Sequence, residues 1–281
     1  MLNVVPGYGP AVGTPIVTHP LIRKVAFTGS VATGRAIMGL AAQRTLPLTL
    51  ELGGKSPNIV LADADLDDAA RYAFAAFTFK CGQVCSAGSR LLVESAVHDE
   101  FVERLVERAR KARIAPGIED PDLGSLATAA QYEKVRSYLE IGPAEGARIA
   151  TGGGLPSDER LAGGYFVEPT VLIDVDNGMR VAREEIFGSV LSVIRFDGED
   201  EAVRIANDTE YGLVAGVWTT DLGRAHRVAA EIEAGQVFVN EYFAGGVETP
   251  FGGFKSSGFG RENGFEALKH YTQSKTVTAR I

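Results

Sequence analysis

Short apolar runs alternate with helix-patterned stretches along most of this chain, and that alternation is the tightest constraint the sequence places on its fold. Strands that take turns with helices are joined by crossovers, pair in parallel and need cover on both faces, so the chain reads as α/β with mostly parallel sheets. VAFTGS (25–30) is a β-rich run ending in glycine and serine, and it leads into VATGRAIMGLAAQ (31–43), an alanine-rich helix. LPLTLELGG (46–54) is a strand stopped by a double glycine, and residues 57–77 hold a strand, an acidic helix start and a helix. After the strand SRLLVES (89–95), residues 98–115 form the clearest helix. Phe101, Val102, Leu105, Val106, Ala109 and Ala112 share one face there, and Glu100/Arg104 and Glu107/Lys111 are i,i+4 pairs on the other. Further strands are expected at 165–175, 189–196, 211–220 and 235–240, with a helix after Asp221. Residues 248–264 are glycine-rich and irregular, and the tail KTVTAR (275–280) alternates like a strand. No helix or strand is expected ahead of residue 25, so an opening strand with its phosphate turn reads as missing.

With 281 residues, 45% of them apolar and 23% charged, the chain has material for one large domain or two ordinary ones. No apolar run approaches the ~18 residues of a membrane span, and no charged-then-apolar leader opens the sequence, which points to a cytoplasmic protein without a membrane partner. A net charge of -8 argues against nucleic acid, whose phosphates call for a basic face.

Both cysteines, Cys81 and Cys85, fall within KCGQVCSAG (80–88). A reducing compartment disfavours a disulfide, and the spacer is not the two-residue one of redox pairs. His19, His98, His226 and His270 are scattered, so no metal site is expected. Cys85 precedes the small residues SAGS, which let backbone amides approach the sulfur, as a nucleophilic thiolate requires; a buried structural cysteine is the alternative. Cys81 ends an apolar helix, where a packed thiol is ordinary. A nucleophilic cysteine needs a base, and the best acidic candidate is Glu51, a lone carboxylate in an apolar strand before two glycines. Strand alternation alone would instead turn Glu51 to solvent. FTGS is a strand, a turn and a capped helix start able to meet phosphate, or simply an ordinary βα turn.

FTGS, LELGGKSPNIV, GQVCSAGSR, EEIFG and PFGGFKSSGFGRE follow one another in an order and at spacings that resemble the NAD(P)-dependent aldehyde dehydrogenase superfamily. The resemblance runs through essentially the whole chain. It implies an aldehyde-dehydrogenase-like α/β fold in three parts: a remnant of a Rossmann-type cofactor domain (1–53), a catalytic domain (54–253), and a return to the core with an oligomerisation arm (254–281). It also implies oxidation of a small-molecule aldehyde to a carboxylic acid, with NAD or NADP as cofactor, through a thiohemiacetal and thioester on cysteine. By resemblance Cys85 is the nucleophile and Glu51 the general base. Gly29 and Ser30 meet the cofactor pyrophosphate, and Leu52 and Gly53 border the nicotinamide. Glu185 and Phe187 hold its ribose and flank its ring, and Gln131 and Lys134 lie toward the adenosine.

The sequence also departs from the family. Ser189 stands where proline is common, and no PWNFP-like asparagine or KPSE-like lysine appears, motifs that belong to the N-terminal half of family members. That half would cover the sheet around residues 25–53. Uncovering such a face costs about as much as a domain's whole stability, so the isolated chain is expected to fold poorly or to need a complementing half or a homo-oligomer. The second reading of the sequence is therefore a catalytically impaired member acting by association.

Overall fold

The computed structural model describes all residues 1–281. In chain order the helices and strands are α1 (Gly9–Thr18), β1 (Val25–Thr28), α2 (Val31–Ala42), β2 (Leu48–Glu51), β3 (Pro57–Val60), α3 (Leu66–Thr78), β4 (Arg90–Glu94), α4 (His98–Lys111), α5 (Ala129–Ala144), β5 (Arg148–Thr151), β6 (Thr170–Ile173), α6 (Arg180–Arg183), β7 (Val190–Phe196), α7 (Glu199–Asn207), β8 (Val214–Trp218), α8 (Leu222–Glu231), β9 (Gln236–Val239), β10 (Gly258–Phe259) and α9 (Gly264–Tyr271). They form two compact units, one of residues 1–53 with 245–281 and one of residues 54–244.

The larger unit is built on a seven-stranded sheet of order β5-β6-β7-β4-β3-β8-β9, parallel except where β5 meets β6. Alternate residues of each strand enter different cores. Ile59, Leu92, Leu172, Ile194 and Val217 pack with Val135 and Leu139 of α5, Ile205 of α7 and Val228 of α8. Val60, Leu91, Val93, Val171 and Val193 pack with Ala73 and Phe77 of α3 and Phe101 and Leu105 of α4. Both faces are covered, which is why these strands are continuous in apolar character and why the period-2 alternation is muted.

The smaller unit holds β1 and β2 in parallel, with β10 closing antiparallel on the other side of β2. Three expectations change here. α1 precedes β1 although GPAVGTPIVT looks like a helix breaker; Pro10 sits in the first turn, where its missing N–H is not needed, and Pro15 is carried inside. The tail 272–281 forms no strand. α9 follows the glycine-rich stretch, its start hidden by Asn263 and Gly264, both at positive φ (61 and 57). In the larger unit the strand expected at 165–175 shrinks to β6, because Pro169 has no N–H for the ladder.

Candidate active site

In the larger unit the segments singled out in the sequence gather at the amino ends of the strands: residues 54–56 lead into β3, 85–89 into β4 and 185–189 into β7. A doubly wound sheet ordinarily binds ligands outside its carboxyl ends, at the point where strand order reverses. Here the carboxyl-end crevice between β3 and β8 is taken by Asp63, whose Oδ2 accepts from Thr219 Oγ1 (2.6 Å) and the Thr220 N–H (2.9 Å), while Arg224 Nη1 donates to its Oδ1 (3.0 Å).

The loop to β4 leaves α3 through a left-handed turn, with Lys80, Cys81 and Gly82 at φ 50, 57 and 70. A Cβ on Gly82 would run into the carbonyl of Gly188, so the cysteine loop lies directly against the 185–189 segment. Cys81 and Cys85 are both thiols and both half-buried. Cys81 is not a helical residue, as its sequence position suggests. It packs on the core from the left-handed turn, its Sγ 3.4 Å from the Gly124 carbonyl, and burial pushes its pKa up. Beyond Cys85 the chain is tightly folded: the Ala87 N–H donates to the Val84 carbonyl (3.1 Å) and the Gly88 N–H to that of Ala76 (3.0 Å), with Tyr242 Oη 3.2 Å from the Ser86 carbonyl. A side chain at Gly54 would strike the Cys85 carbonyl, and one at Gly88 would press on Ala76 and the Tyr242 ring. The small residues noted in the sequence serve close packing of backbone around the thiol.

Glu185 accepts from the Gly54 N–H at 3.1 Å, and burial raises its pKa against that hydrogen bond and the positive charges of Lys134 and Lys55. Phe187 follows with its backbone at φ 60. Gln131, on the first turn of α5, donates from Nε2 to the Ile186 (2.9 Å) and Phe187 (2.7 Å) carbonyls. Thus Cys85, Glu185, Phe187, Gln131 and Lys134 all belong to this unit.

Sequence reading passed over two neighbours. Lys55 is fully buried with no hydrogen-bond partner for Nζ; burial, and then the charge of Arg90, push its pKa down to about 7. Arg90 is also fully buried and donates to the Ile205 (2.6 Å) and Ala206 (2.7 Å) carbonyls in the last turn of α7, and to Asn177 Oδ1 (2.9 Å). A cation at a helix C-terminus satisfies orphan carbonyls and the negative end of the dipole. Nothing around Lys55 in LELGGKS marks it as buried, and the apolar run after Arg90 in SRLLV is the only sequence signal for the other.

The smaller unit contains Glu51, Leu52, Gly53, Gly29 and Ser30. Alternation would expose Glu51; instead it is 4% exposed, and its neighbours Thr49 and Leu50 are buried too, so both faces of β2 are covered. Both carboxylate oxygens are buried without a hydrogen-bond partner. Burial pushes the pKa up to about 8, Glu262 adds to the rise and Arg261 opposes it. The Gly29 N–H donates to the Glu51 carbonyl (3.0 Å), the Leu52 N–H to the Ser257 carbonyl (2.9 Å), and Ser257 Oγ to the Gly53 carbonyl (2.7 Å), which fixes the course of the chain through ELGG. Ser30 caps α2, its Oγ accepting from the Thr33 N–H at 3.3 Å. Between α1, α2 and β1 lies a cleft of about 580 Å³ whose lining includes Gly9, Gly13, Val17, Val25, Phe27 and Ile37. An apolar slot beside a capped helix N-terminus suits a flat aromatic ring joined to phosphate, so these residues fit the ends of a dinucleotide. No group of three or more His, Cys, Asp or Glu side chains comes together as a metal site would require, and no helix is long and apolar enough to cross a membrane.

Residues 1–277 match the aldehyde dehydrogenase family. Betaine aldehyde dehydrogenase of Mesorhizobium japonicum is 52% identical over 278 residues, which is 99% of this chain and 57% of the relative. The betaine aldehyde dehydrogenase of Brucella melitensis matches to the same extent, 52% identical with 57% of its length covered. Among solved structures, betaine aldehyde dehydrogenase of Staphylococcus aureus in complex with NAD+ superimposes with a TM-score of 0.92 at 41% identity, over 94% of this chain and 53% of that one. The NAD+ complex of an aldehyde dehydrogenase from Bacillus cereus gives a TM-score of 0.92 at 45% identity, over 96% and 54%. The chain therefore spans 57% of the length of the curated relatives it matches.

Proposed function

The chain belongs to the aldehyde dehydrogenase family, and on that premise we propose that it oxidises an aldehyde to the carboxylic acid with NAD as hydride acceptor. The observation that carries the reading is Glu51, a carboxylate buried without a partner and pushed up to about 8, which is the state of a general base poised near neutral pH. The NAD+ complexes of its structural relatives favour NAD over NADP.

The chain's own groups divide the chemistry as follows. The Cys85 thiolate adds to the aldehyde carbon, forming a C–S bond and an oxyanion, for which the Cys85 main-chain N–H is a donor. NAD, when bound, supplies the acceptor for the hydride that leaves this carbon. A thioester then remains on Cys85. Glu51 takes a proton from water, the hydroxide adds to the thioester carbon, the C–S bond breaks, and the carboxylic acid departs with the thiolate restored. Gly29 and Ser30 hold the pyrophosphate, Leu52 and Gly53 border the nicotinamide, and Glu185 and Phe187 hold its ribose and flank its ring. Lys134 lies toward the adenosine. A homo-oligomer or a complementing segment is the assembly in which this is expected to operate.

The test follows reduced-cofactor absorbance on adding NAD and an aldehyde, with betaine aldehyde first because the relatives bear that name, and with propanal as an uncharged comparison. An aldehyde-dependent signal that disappears in Cys85→Ala supports the reading. Absence of any signal from the intact chain, alone and with a complementing segment, overturns it in favour of association without catalysis.

A further inference from the structure

The segment just before and at the start of α5 holds two stretches of left-handed backbone at once. Thr128 Oγ1 accepts from the Gln131 N–H (3.2 Å) and so fixes the first turn of the helix. From that turn Gln131 Nε2 donates to the carbonyls of Ile186 (2.9 Å) and Phe187 (2.7 Å). Phe187 sits at φ 60, a region that penalises any residue with a Cβ. Its neighbour Gly188 lies so close to Val135 of the same helix that a side chain there would collide.

The other stretch is the turn ahead of the nucleophile, where Lys80 and Cys81 have φ of 50 and 57. Gln83 Oε1 accepts from the Ala127 N–H (3.0 Å), Gln83 Nε2 returns to the Lys80 carbonyl (3.3 Å), and Cys81 Sγ meets the Gly124 carbonyl (3.4 Å). Strained backbone of this kind persists only where its surroundings over-determine it. Gln131 Nε2 meets two backbone carbonyls, so the amide's donors are engaged by the main chain of the Phe187 turn.

We propose that residues 124–131 form a clamp that sets both the cysteine loop and the Phe187 turn, with Gln131 and Gln83 as positioning residues rather than ligand contacts. The proposal deepens the site reading and rests on the roles given to Cys85 and Phe187.

The test compares the full chain with Gln131→Met, which keeps the length but has no donors, and with the same change in a Phe187→Gly background, where φ 60 carries no penalty. Hydrogen–deuterium exchange over 183–190, the rate of Cys85 alkylation by iodoacetamide, and NAD affinity by calorimetry are measured on each. Gln131→Met is expected to speed exchange at 186–190 and to weaken NAD by about tenfold, as loss of a hydrogen-bonded anchor should. In the Phe187→Gly background the same change should alter NAD affinity by less than about twofold, because the two act through one element. Gln83→Met should change the alkylation rate of Cys85 while leaving exchange at 186–190 as it was. Unchanged exchange at 186–190 in Gln131→Met, or losses of NAD affinity that simply multiply, would overturn the clamp and make Gln131 a direct contact. If the parent chain binds no NAD, the functional reading fails by itself, and exchange and alkylation still decide the clamp.

Discussion

Replacing Lys55 by methionine should stabilise the protein, and more so the lower the pH. Lys55 has no exposed surface and its Nζ has no hydrogen-bond partner, so its charged form sits in a setting that gives back little of its lost hydration. A fall in pKa from 10.5 to about 7 corresponds to about 5 kcal/mol against the charged form, at about 1.4 kcal/mol per tenfold change in proton affinity. The sign follows from proton counting. Between about 7 and 10.5 the unfolded chain holds a proton on this lysine that the folded chain has released, so stability rises with pH there by up to about 1.4 kcal/mol per pH unit. Below the folded value both states are charged and the full penalty applies. Urea unfolding of parent and Lys55→Met at about pH 6, 8 and 9.5 reads this directly, because other titrating groups are common to both chains and cancel in the difference. The variant should exceed the parent by several kcal/mol at the lowest pH, with the gap closing as pH rises. A variant less stable than the parent at about pH 6, or a gap that does not change with pH, would refute the account of Lys55 as a buried, unpartnered amine.

Other outcomes follow from the same geometry. Glu51→Gln should lower aldehyde oxidation by about 10²–10⁴-fold, and the parent's activity should rise with pH through about 8, as the carboxyl loses its proton, while the residual activity of the variant lacks that rise. In unfolding experiments Glu51 acts opposite to Lys55. Its folded pKa lies above its unfolded one, so its contribution is present below about 4.5 and is lost as pH climbs to about 8, a decline that Glu51→Gln should flatten. Gly82→Ala should destabilise by more than the ~1–2 kcal/mol of a left-handed alanine, since its Cβ also meets the Gly188 carbonyl; thermal unfolding measures it. Gly39→Ala, inside α2 with nothing within 4 Å, should instead stabilise by about 0.5–1 kcal/mol.

The contrast between Glu51 and Gln131 explains how far the sequence could be read. The strand and helix order of the larger unit is legible because it is carried by local pattern, with 98–111 a helix on its apolar stripe and 57–60 a strand on its β-branched residues. Glu51 is legible as a residue worth notice, but not as buried: alternation assumes one wet face, and β2 has none, since the successive residues Thr49, Leu50 and Glu51 are all buried. α1 and α9 escaped because proline and glycine at their starts obey positional rules that composition cannot supply.

Gln131 and Lys55 lie further out of reach. The bonds of Gln131 span 55 and 56 positions in the chain, and nothing in QYEK announces that an amide there will hold a phenylalanine in a left-handed turn. Lys55 reads as an ordinary solvated lysine after a double glycine until the sheet closes over it. Residues of this kind are where the fold acts on the chemistry. Phe187 and the turn before Cys85 are both held in conformations the local sequence would not choose, and what holds them is tertiary hydrogen bonding from a single short segment. Changes at 127–131 should therefore move cysteine reactivity and cofactor affinity together, whereas changes of similar size on the far side of the sheet, at Val102 or Val106 of α4, should lower stability and leave both untouched.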